Sequence, residues 1–340
     1  MKKTLAVAAV ALATAAFSGA AQARDQIRIV GSSTVYPFAT AVAEQFGKTG
    51  KFKTPVVEST GSGGGLKLFC GGVGVEYPDI TNASRRIEPS EVELCGKNGV
   101  KDIAEVVIGY DGITIANSVK GPSFQVTRAQ LYRAIAKEVP VGGKLVANPY
   151  KKWSDIDPSL PGEAILVYGP GPNHGTRDAT VELIMEPSCK GLPEVKALDK
   201  DAQKKACQAV REDGAWVDVS EDYAMTMQKL LSNPAAVGII TYSYLDQNSD
   251  KIKGAVVDGV QPTFDNIASS KYPVSRPLFF YVKKAHVGQI PGIKEYISEF
   301  TSEKAWGKTG YLADKGLIPM PDDQRKEWAK KAANLDDLKM

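Results

Sequence analysis

The amino-acid sequence predicts an α/β fold with two lobes, each a mixed, mainly parallel sheet flanked by helices. The first hundred residues repeat the order strand, small polar turn and helix three times, which is typical of parallel strands connected by covering helices. The chain has 340 residues, more than one domain of about 100–200 residues contains. The length therefore favours two lobes.

The first 23 residues are expected to be a secretory signal peptide. Lys2 and Lys3 precede an apolar run at residues 5–17, and residues 21–23 (AQA) form a typical cleavage site. The run is shorter than the roughly 20 apolar residues that span a membrane. We expect cleavage near Ala23, export to the periplasm and no lipid anchor, since no cysteine follows this segment.

The composition limits the possible partners. Removing Lys2 and Lys3 lowers the formal net charge from +3 to +1, and no basic run interleaved with aromatic residues occurs. Nucleic acid is therefore not an expected partner. No later stretch reaches the length of a membrane span, so we expect a soluble mature protein.

The four cysteines are expected to form structural disulfides, because their number is even and the chain is expected to be exported. Three pairings are possible. We favour Cys70–Cys95 with Cys189–Cys207, since each bridge then stays within one lobe. No cysteine pair has C-x-x-C spacing and the chain has only two histidines, so a zinc site is not expected.

The remaining elements follow from hydrophobic periodicity and turn residues. Residues 104–118 form a long apolar run that predicts one long or bent strand. Other strands are expected at residues 27–31, 55–60, 79–84, 164–169, 236–245, 253–260 and 276–284. Helices are expected at residues 33–46, 64–70, 89–95, 127–139, 175–186 and 221–231, and they should dominate the rest of the chain.

Three strand-to-helix turns share one chemistry: GSSTVYP (31–37), STGSGGG (59–65) and GPGPNHGT (169–176). A helix start offers unpaired N–H groups and a positive dipole end, glycine allows close approach, and hydroxyls add donors. Each turn alone is more often a simple helix cap. Together, beyond the carboxyl ends of strands, they predict an oxyanion site. GSGGG matches neither a P-loop nor G-x-G-x-x-G, so no nucleotide cofactor is expected.

Charged residues near these turns have two interpretations. Arg85 and Arg177 carry forked donors that suit tetrahedral oxyanions. Asp111 lies inside an apolar run, where a carboxylate needs a partner. It is either a structural acceptor or salt-bridge partner, or an acceptor for a protonated oxygen of the ligand.

His174 is either a turn residue or cap, or a donor to the anion. Asp178, four residues later, could pair with it across one helical turn. A Ser/His/Asp phosphoesterase using Ser33 or Ser62 as nucleophile is the enzyme alternative. No G-x-S-x-G elbow is present, and no catalysis is expected.

At these turns the chain resembles the periplasmic phosphate-binding proteins of ABC transporters, the PstS-type family. The matching motifs lie in family order between residues 27 and 284: GSSTVYPF, GSGGGLK, DITNASR, YDGI, HGTRDA and SRPLFFYV. The resemblance implies a type II periplasmic binding protein. Residues 24–112 with 274–340 would form one lobe, and residues 113–273 would form an inserted second lobe that closes by hinge motion.

The resemblance also implies a ligand, a partner and a set of contacts. The ligand would be inorganic phosphate, delivered to a membrane ABC permease by a protein expected to be a monomer. Motif positions place anion contacts at Ser33, Thr34, Val35, Ser62, His174, Gly175, Thr176 and Arg177. To these the turn chemistry adds Gly63, Gly64, Ser84, Arg85 and Asp111.

Two departures from the family pattern leave the anion open. Arg85 stands where well-known members have a carboxylate that accepts a hydrogen from protonated phosphate. His174 replaces a serine, and Gly169 to Pro172 lack an arginine found in many members. Asp111 would supply the missing acceptor, and Arg85 with Arg177 the missing charge. Another oxyanion, arsenate or sulfate, is therefore the alternative ligand.

Overall fold

The computed structural model describes residues 24–172, 174–219 and 223–340, in which one long strand joins two groups of shorter strands. This strand, Ile103–Ser118, has 16 residues. Its first half pairs with Ser275–Lys283 and its second half with Val237–Thr241, both antiparallel. The prediction of one long strand is confirmed. The expected signal peptide lies outside the described residues.

The strands of the described residues form one large mixed sheet and two small ones. The large sheet has the order β2-β1-β3-β13-β4-β10-β8-β9, and β11 also pairs with β4. Pairs among β1, β2 and β3 and among β8, β9 and β10 are parallel. The strands are β1 Arg28–Gly31, β2 Val56–Ser59, β3 Ile80–Ala83, β4 Ile103–Ser118, β5 Gln125–Val126, β6 Glu138–Val141, β7 Lys144–Ala147, β8 Val167–Pro170, β9 Trp216–Val219, β10 Val237–Thr241, β11 Ile252–Gly254, β12 Val256–Val257 and β13 Ser275–Lys283.

Helices cover both groups of strands, which confirms the predicted α/β fold class. A π-helical turn, Val181–Met185, continues α6 into α7, and a 3₁₀ turn lies at Lys284–His286. The helices are α1 Tyr36–Gly47, α2 Ser62–Phe69, α3 Pro89–Lys97, α4 Arg128–Ile135, α5 Trp153–Ile156, α6 Gly175–Thr180, α7 Glu186–Cys189, α8 Pro193–Lys196, α9 Lys200–Gln208, α10 Tyr223–Ser232, α11 Tyr242–Gln247, α12 Phe264–Ala268, α13 Ile293–Phe300, α14 Glu303–Trp306 and α15 Asp322–Asn334.

Three predicted elements are wrong in part; one is the strand expected at residues 253–260, which is divided into β11 of the large sheet and β12 of a small sheet. The helix expected at residues 127–139 ends at Ile135, because Ala136 is extended and Pro140 follows. Val139 is instead buried in the β6–β7 hairpin, whose turn at residues 142–143 is Gly-Gly with positive φ at both. The strand expected at residues 236–245 ends at Thr241, which is the extended residue before α11.

Both disulfides have the predicted pairing. Cys70–Cys95 joins the end of α2 to α3, and Cys189–Cys207 joins α7 to α9. Each bridge stays within one of the two chain segments 24–112 and 113–273, as expected.

The long strand contains a β-bulge just before its midpoint. Leu278 of β13 faces Gly109, while the next residue, Phe279, faces Val107, so Ile108 is the extra residue. Gly109 has φ +146°, and a Cβ there would lie 2.7 Å from the carbonyl oxygen of Ile318. Only glycine fits this combination of φ and close contact. In the described ranges, no helix is both long and apolar enough to cross a bilayer.

Candidate functional site

The first turns of α1 and α6 are in direct contact. A Cβ on Gly175 would lie 2.9 Å from Cα of Thr34 and 3.2 Å from the carbonyl oxygen of Ser33. The hydroxyl of Thr34 lies 3.4 Å from the carbonyl oxygen of Gly175. Glycine at position 175 therefore allows the starts of α1 and α6, each with the positive end of its helix dipole, to face one place.

Asp178 lies on the α6 side of this contact. Its carboxylate accepts a hydrogen bond from the hydroxyl of Ser33. It sits in the first turn of α6, where the helix dipole favours a negative charge. Ser33 thus connects the start of α1 to a carboxylate across the cleft.

Arg276 is the central cation of the site, and sequence analysis did not select it. It belongs to β13, faces Asp111 of β4, and is only 7% exposed. Its Nη2 donates to the hydroxyl of Thr34 at 2.9 Å, and its Nη1 donates to the carboxylate of Glu182. An arginine inside the apolar run SRPLFFYV was the available signal, of the same kind that drew attention to Asp111.

Asp111 lies beside Arg276, and its Oδ2 is available as a hydrogen-bond acceptor. Its Oδ2 is 3.5 Å from Nε of Arg276. Among the described residues, neither of these two atoms has a hydrogen-bond partner. Burial raises the pKa of the Asp111 carboxyl, and the charge of Arg276 acts in the opposite direction. A carboxylate in this state can accept a hydrogen from a protonated oxygen.

His174 caps α6. Its Nδ1 accepts the backbone N–H of Thr176 at 3.0 Å, so a neutral ring carries its hydrogen on Nε2. Asp178 accepts from Ser33, so the carboxylate proposed to orient His174 is engaged with another group. The hydroxyls of Thr176 and Tyr223 are hydrogen-bonded to each other, and burial raises the pKa of Tyr223. Tyr223 was not expected at the site.

The glycine-rich turn reaches the site through Ser84. Oγ of Ser62 lies 3.0 Å from Oγ of Ser84 and accepts the backbone N–H of Ser84 at 3.0 Å. Gly63 and Gly64 follow in the first turn of α2 and are exposed. A Cβ on Gly63 would lie 3.7 Å from Nη2 of Arg85, so this helix start borders the Arg85 side of the cleft.

Arg85 and Arg177 are both held by protein groups. Arg85 forms two hydrogen bonds with Glu91, at 2.9 and 2.8 Å, and this pair raises the pKa of the guanidinium. Arg177 donates to Asp218 at 3.1 Å, and its guanidinium lies 4.6 Å from the ring centre of Trp216. Both arginines border the cleft with their side chains already partnered.

The predicted site residues fall into three groups. Val35 is fully buried, and its N–H points to Oγ of Ser32 at 3.4 Å. One group lines a cleft of about 480 Å³, and a second group lines a neighbouring cleft of about 750 Å³. Ser62, Gly63 and Gly64 form the third group and lie beside the larger cleft. The first group is Ser33, Thr34, Asp111, His174, Gly175 and Thr176, and the second is Ser84, Arg85 and Arg177, joined there by Asp178, Glu182 and Arg276.

This arrangement suits an anion rather than a metal. Within residues 24–172, 174–219 and 223–340, no group of three or more metal-binding side chains is arranged to hold an ion. Two helix starts, several hydroxyls and a buried guanidinium converge where the two clefts meet. One carboxylate acceptor stands beside them, so the site can bind an oxyanion and contact one of its hydrogens.

Comparison with known proteins agrees with this chemistry. Residues 17–304 match the family model of the PBP superfamily domain. The chain is 29% identical to Protein SphX of Synechococcus elongatus, over 93% of this chain and 84% of that protein. It is also 29% identical to the phosphate-binding protein PstS of Staphylococcus saprophyticus, over 91% of this chain and 83% of that protein.

A solved structure is similar over nearly the whole length. It is described as a possible phosphate binding protein from Planctomyces limnophilus, with a TM-score of 0.74 at 26% identity. The match covers 92% of this chain and 99% of that one. These relatives confirm the resemblance to PstS-type proteins found in the motifs.

Proposed function

This chain belongs to the PBP superfamily, and from that premise we propose that it is a periplasmic binding protein for inorganic phosphate. It is exported, captures phosphate in the cleft between two lobes, and delivers it to a membrane ABC permease. The mature protein acts as a monomer, without a cofactor and without a chemical step.

One observation carries this proposal: the hydroxyl of Thr34 binds Arg276 and contacts the start of α6 at Gly175. The start of α1, the start of α6 and a buried guanidinium are therefore within reach of one small anion. Ser33 and Thr176 add hydroxyl donors on the two sides. The similarity to the phosphate-binding protein PstS of Staphylococcus saprophyticus and to the possible phosphate binding protein of Planctomyces limnophilus supports phosphate as the ligand.

The strand pairing supports the division into two lobes that we propose. We assign residues 24–112 and 274–340 to one lobe, and residues 113–273 to the other. The first half of β4 pairs with β13, and its second half pairs with β10, which supports a division near Gly112. The anion-binding groups come from both sides of this division, so ligand binding favours closure of the lobes.

Asp111 is the group that discriminates among oxyanions in this proposal. Its Oδ2 can accept the hydrogen of a protonated phosphate, whereas fully deprotonated sulfate offers none and meets a negative charge. The second candidate ligand is another oxyanion, arsenate or sulfate. It is favoured by Arg85, whose positive charge stands where well-known family members carry an acceptor.

The contacts of the triad candidates argue against a phosphoesterase. Nδ1 of His174 accepts a backbone N–H, and Asp178 accepts from Ser33. A general base would need a free nitrogen facing the serine hydroxyl, with the carboxylate behind the ring. Instead, the serine hydroxyl donates directly to the carboxylate.

Isothermal titration of the mature protein with phosphate, arsenate and sulfate tests the proposal. We expect saturable binding of phosphate at micromolar protein and at least tenfold weaker binding of sulfate, the scale of one charge-assisted hydrogen bond. No heat with phosphate, together with clear binding of sulfate, would reject the phosphate assignment. Turnover of a chromogenic phosphate ester that disappears in His174→Ala would reject the assignment as a binding protein without catalysis.

A further inference from the structure

Two carboxylates on one helical run occupy donors on the opposite side of the cleft. Asp178 and Glu182 are four residues apart, so they lie on the same side of the run that begins at α6. Asp178 accepts from Ser33, and Glu182 accepts from Nη1 of Arg276. Both donors belong to the group that the proposed function assigns to the anion.

Glu182 is the most exposed of the acceptors around Arg276. The Glu182 side chain is 46% exposed, whereas Asp111 and Thr34 are 6% and 8% exposed. An exposed carboxylate that leaves an ion pair regains water, so its release costs little. The buried acceptors would lose their partner without such compensation. An incoming anion can therefore replace Glu182 more easily than either of them.

The local charge also favours exchange rather than addition. Asp111 and Glu182 already flank the single guanidinium of Arg276. A bound anion that joined them would bring a third negative group to one positive charge, in a site partly shielded from water. Asp111 is buried and Glu182 is not, so Glu182 is the group that moves away.

The backbone at Glu182 differs from that of a regular α-helix. Glu182 belongs to the π-helical turn Val181–Met185, and such turns within helices are frequent at functional sites. Arg85 lies across the cleft. Its pKa is raised mainly by Glu91 and additionally by the charges of Glu88 and Glu182. The released carboxylate thus remains beside a second positive group.

We propose that Glu182 is a built-in counter-ion of Arg276, which the bound anion replaces. The inference rests on the proposed function, since it requires an anion at Arg276. Glu182 keeps the buried guanidinium paired when the cleft holds no ligand, and it lowers the affinity for every anion that binds there. It is a residue that sets affinity, and Asp111 is the one that selects among anions.

Substitution of Glu182 by glutamine tests this role by isothermal titration with inorganic phosphate. We expect the dissociation constant of Glu182→Gln to fall about tenfold, because a neutral amide competes less well for a guanidinium. The matched control is Glu186→Gln, four residues later on the same run. Glu186 borders the same cleft but pairs with Lys190 and Gln208, so its affinity should stay within about twofold of the wild type.

Three results would overturn the inference. Glu182→Gln could bind phosphate no more tightly than the wild type, or Glu186→Gln could tighten binding equally, which would indicate a general charge effect. If Glu182→Gln fails to fold, Glu182→Asp replaces it, because the shorter side chain keeps the charge but reaches Arg276 less well and should also tighten phosphate binding. Wild-type affinity in Glu182→Asp would reject the replacement of Glu182 by the anion. Loss of phosphate binding in the wild type itself would instead reject the proposed function, and this inference with it.

Discussion

Arg276 and Asp111 face each other on the paired strands β13 and β4, with Nε of the arginine 3.5 Å from Oδ2 of the aspartate. Both residues are more than nine-tenths buried. The pair joins the two stretches of chain at which the lobes would meet. With the anion bound at Arg276 as proposed, this charge pair would link ligand binding to the geometry of the crossing strands.

Substitution of Arg276 by glutamine should reduce both affinity and stability. We expect phosphate affinity to fall by about 100-fold or more, and the free energy of unfolding by about 3–5 kcal/mol, because Asp111 would remain buried and uncompensated. Isothermal titration and urea unfolding measure the two effects. The double variant Arg276→Gln, Asp111→Asn should recover part of the stability but not the affinity. Phosphate affinity within threefold of the wild type in Arg276→Gln would place the anion elsewhere.

Asp111→Asn should weaken discrimination between phosphate and sulfate. The asparagine side chain can donate to a fully deprotonated anion, whereas the aspartate repels it and accepts only from a protonated one. We expect the ratio of sulfate to phosphate dissociation constants to fall at least tenfold, as measured by competition titration at one pH. An unchanged ratio would remove Asp111 from the selection mechanism.

Gly175→Ala should block the contact between the two helix starts. The new Cβ would lie 2.9 Å from Cα of Thr34, and main-chain atoms cannot move aside as flexible side-chain ends do. We expect phosphate affinity to fall at least tenfold, with a change in stability below about 1 kcal/mol. Gly171→Ala is the control, since a Cβ at that position meets no described residue within 4 Å. Equal affinities for the two variants would show that close approach at Gly175 is not needed for binding.

Lys283 makes the stability of the protein depend on pH. Its side chain is fully buried, and burial lowers the pKa of its amine to about 8. The unfolded chain holds this proton up to about pH 10.4. Burial of the amine therefore lowers the free energy of unfolding below pH 8, and this loss of stability disappears as the pH rises from 8 to 10.4. Relative to Lys283→Met, the wild type should therefore gain stability between pH 8 and 10, by at most about 1.4 kcal/mol per pH unit.

Urea unfolding of both proteins at pH 7.5, 9 and 10 measures this difference. The amine donates to the carbonyl oxygen of Gly72 at 2.6 Å, so the variant also loses a hydrogen bond at every pH. Only the change of the difference with pH reports on the charge. A constant difference over the whole range would mean that folding leaves the pKa of Lys283 at its unfolded value.

The sequence predicts this fold where one local signal determines each element. The run at residues 104–118 is long and apolar enough to be one strand, and the glycine-hydroxyl turns lie at the starts of α1, α2 and α6. Prediction was less successful at residues 136–147, where Pro140 and Gly142-Gly143 interrupt a helical pattern that Leu131, Ile135 and Val139 suggest. The short edge strand β9 also lacked a distinctive pattern.

The centre of the site was only half predictable, because its charges come together through strand register. Asp111 and Arg276 are 165 positions apart in the chain, and only the β4–β13 pairing places them opposite each other. Glu182 looks like an ordinary surface residue of a helix, and the sequence pairs Asp178 with His174 rather than with Ser33, until the starts of α1 and α6 meet. The chemistry of single turns is local, whereas the choice of charged partners depends on the tertiary structure.

The extra residue Ile108 has a consequence for which insertions and deletions the chain can tolerate. Side chains alternate between the two faces of a strand, so a bulge of one residue reverses which positions of β4 face a given side. Losing Ile108 would make Val107 and Gly109 adjacent, opposite the adjacent Phe279 and Leu278, so the ladder would become regular and Asp111 would stay beside Arg276. Loss of Tyr110 has no bulge to absorb it, so it would turn Asp111 to the other face of β4 and have the same effect as removing the carboxylate.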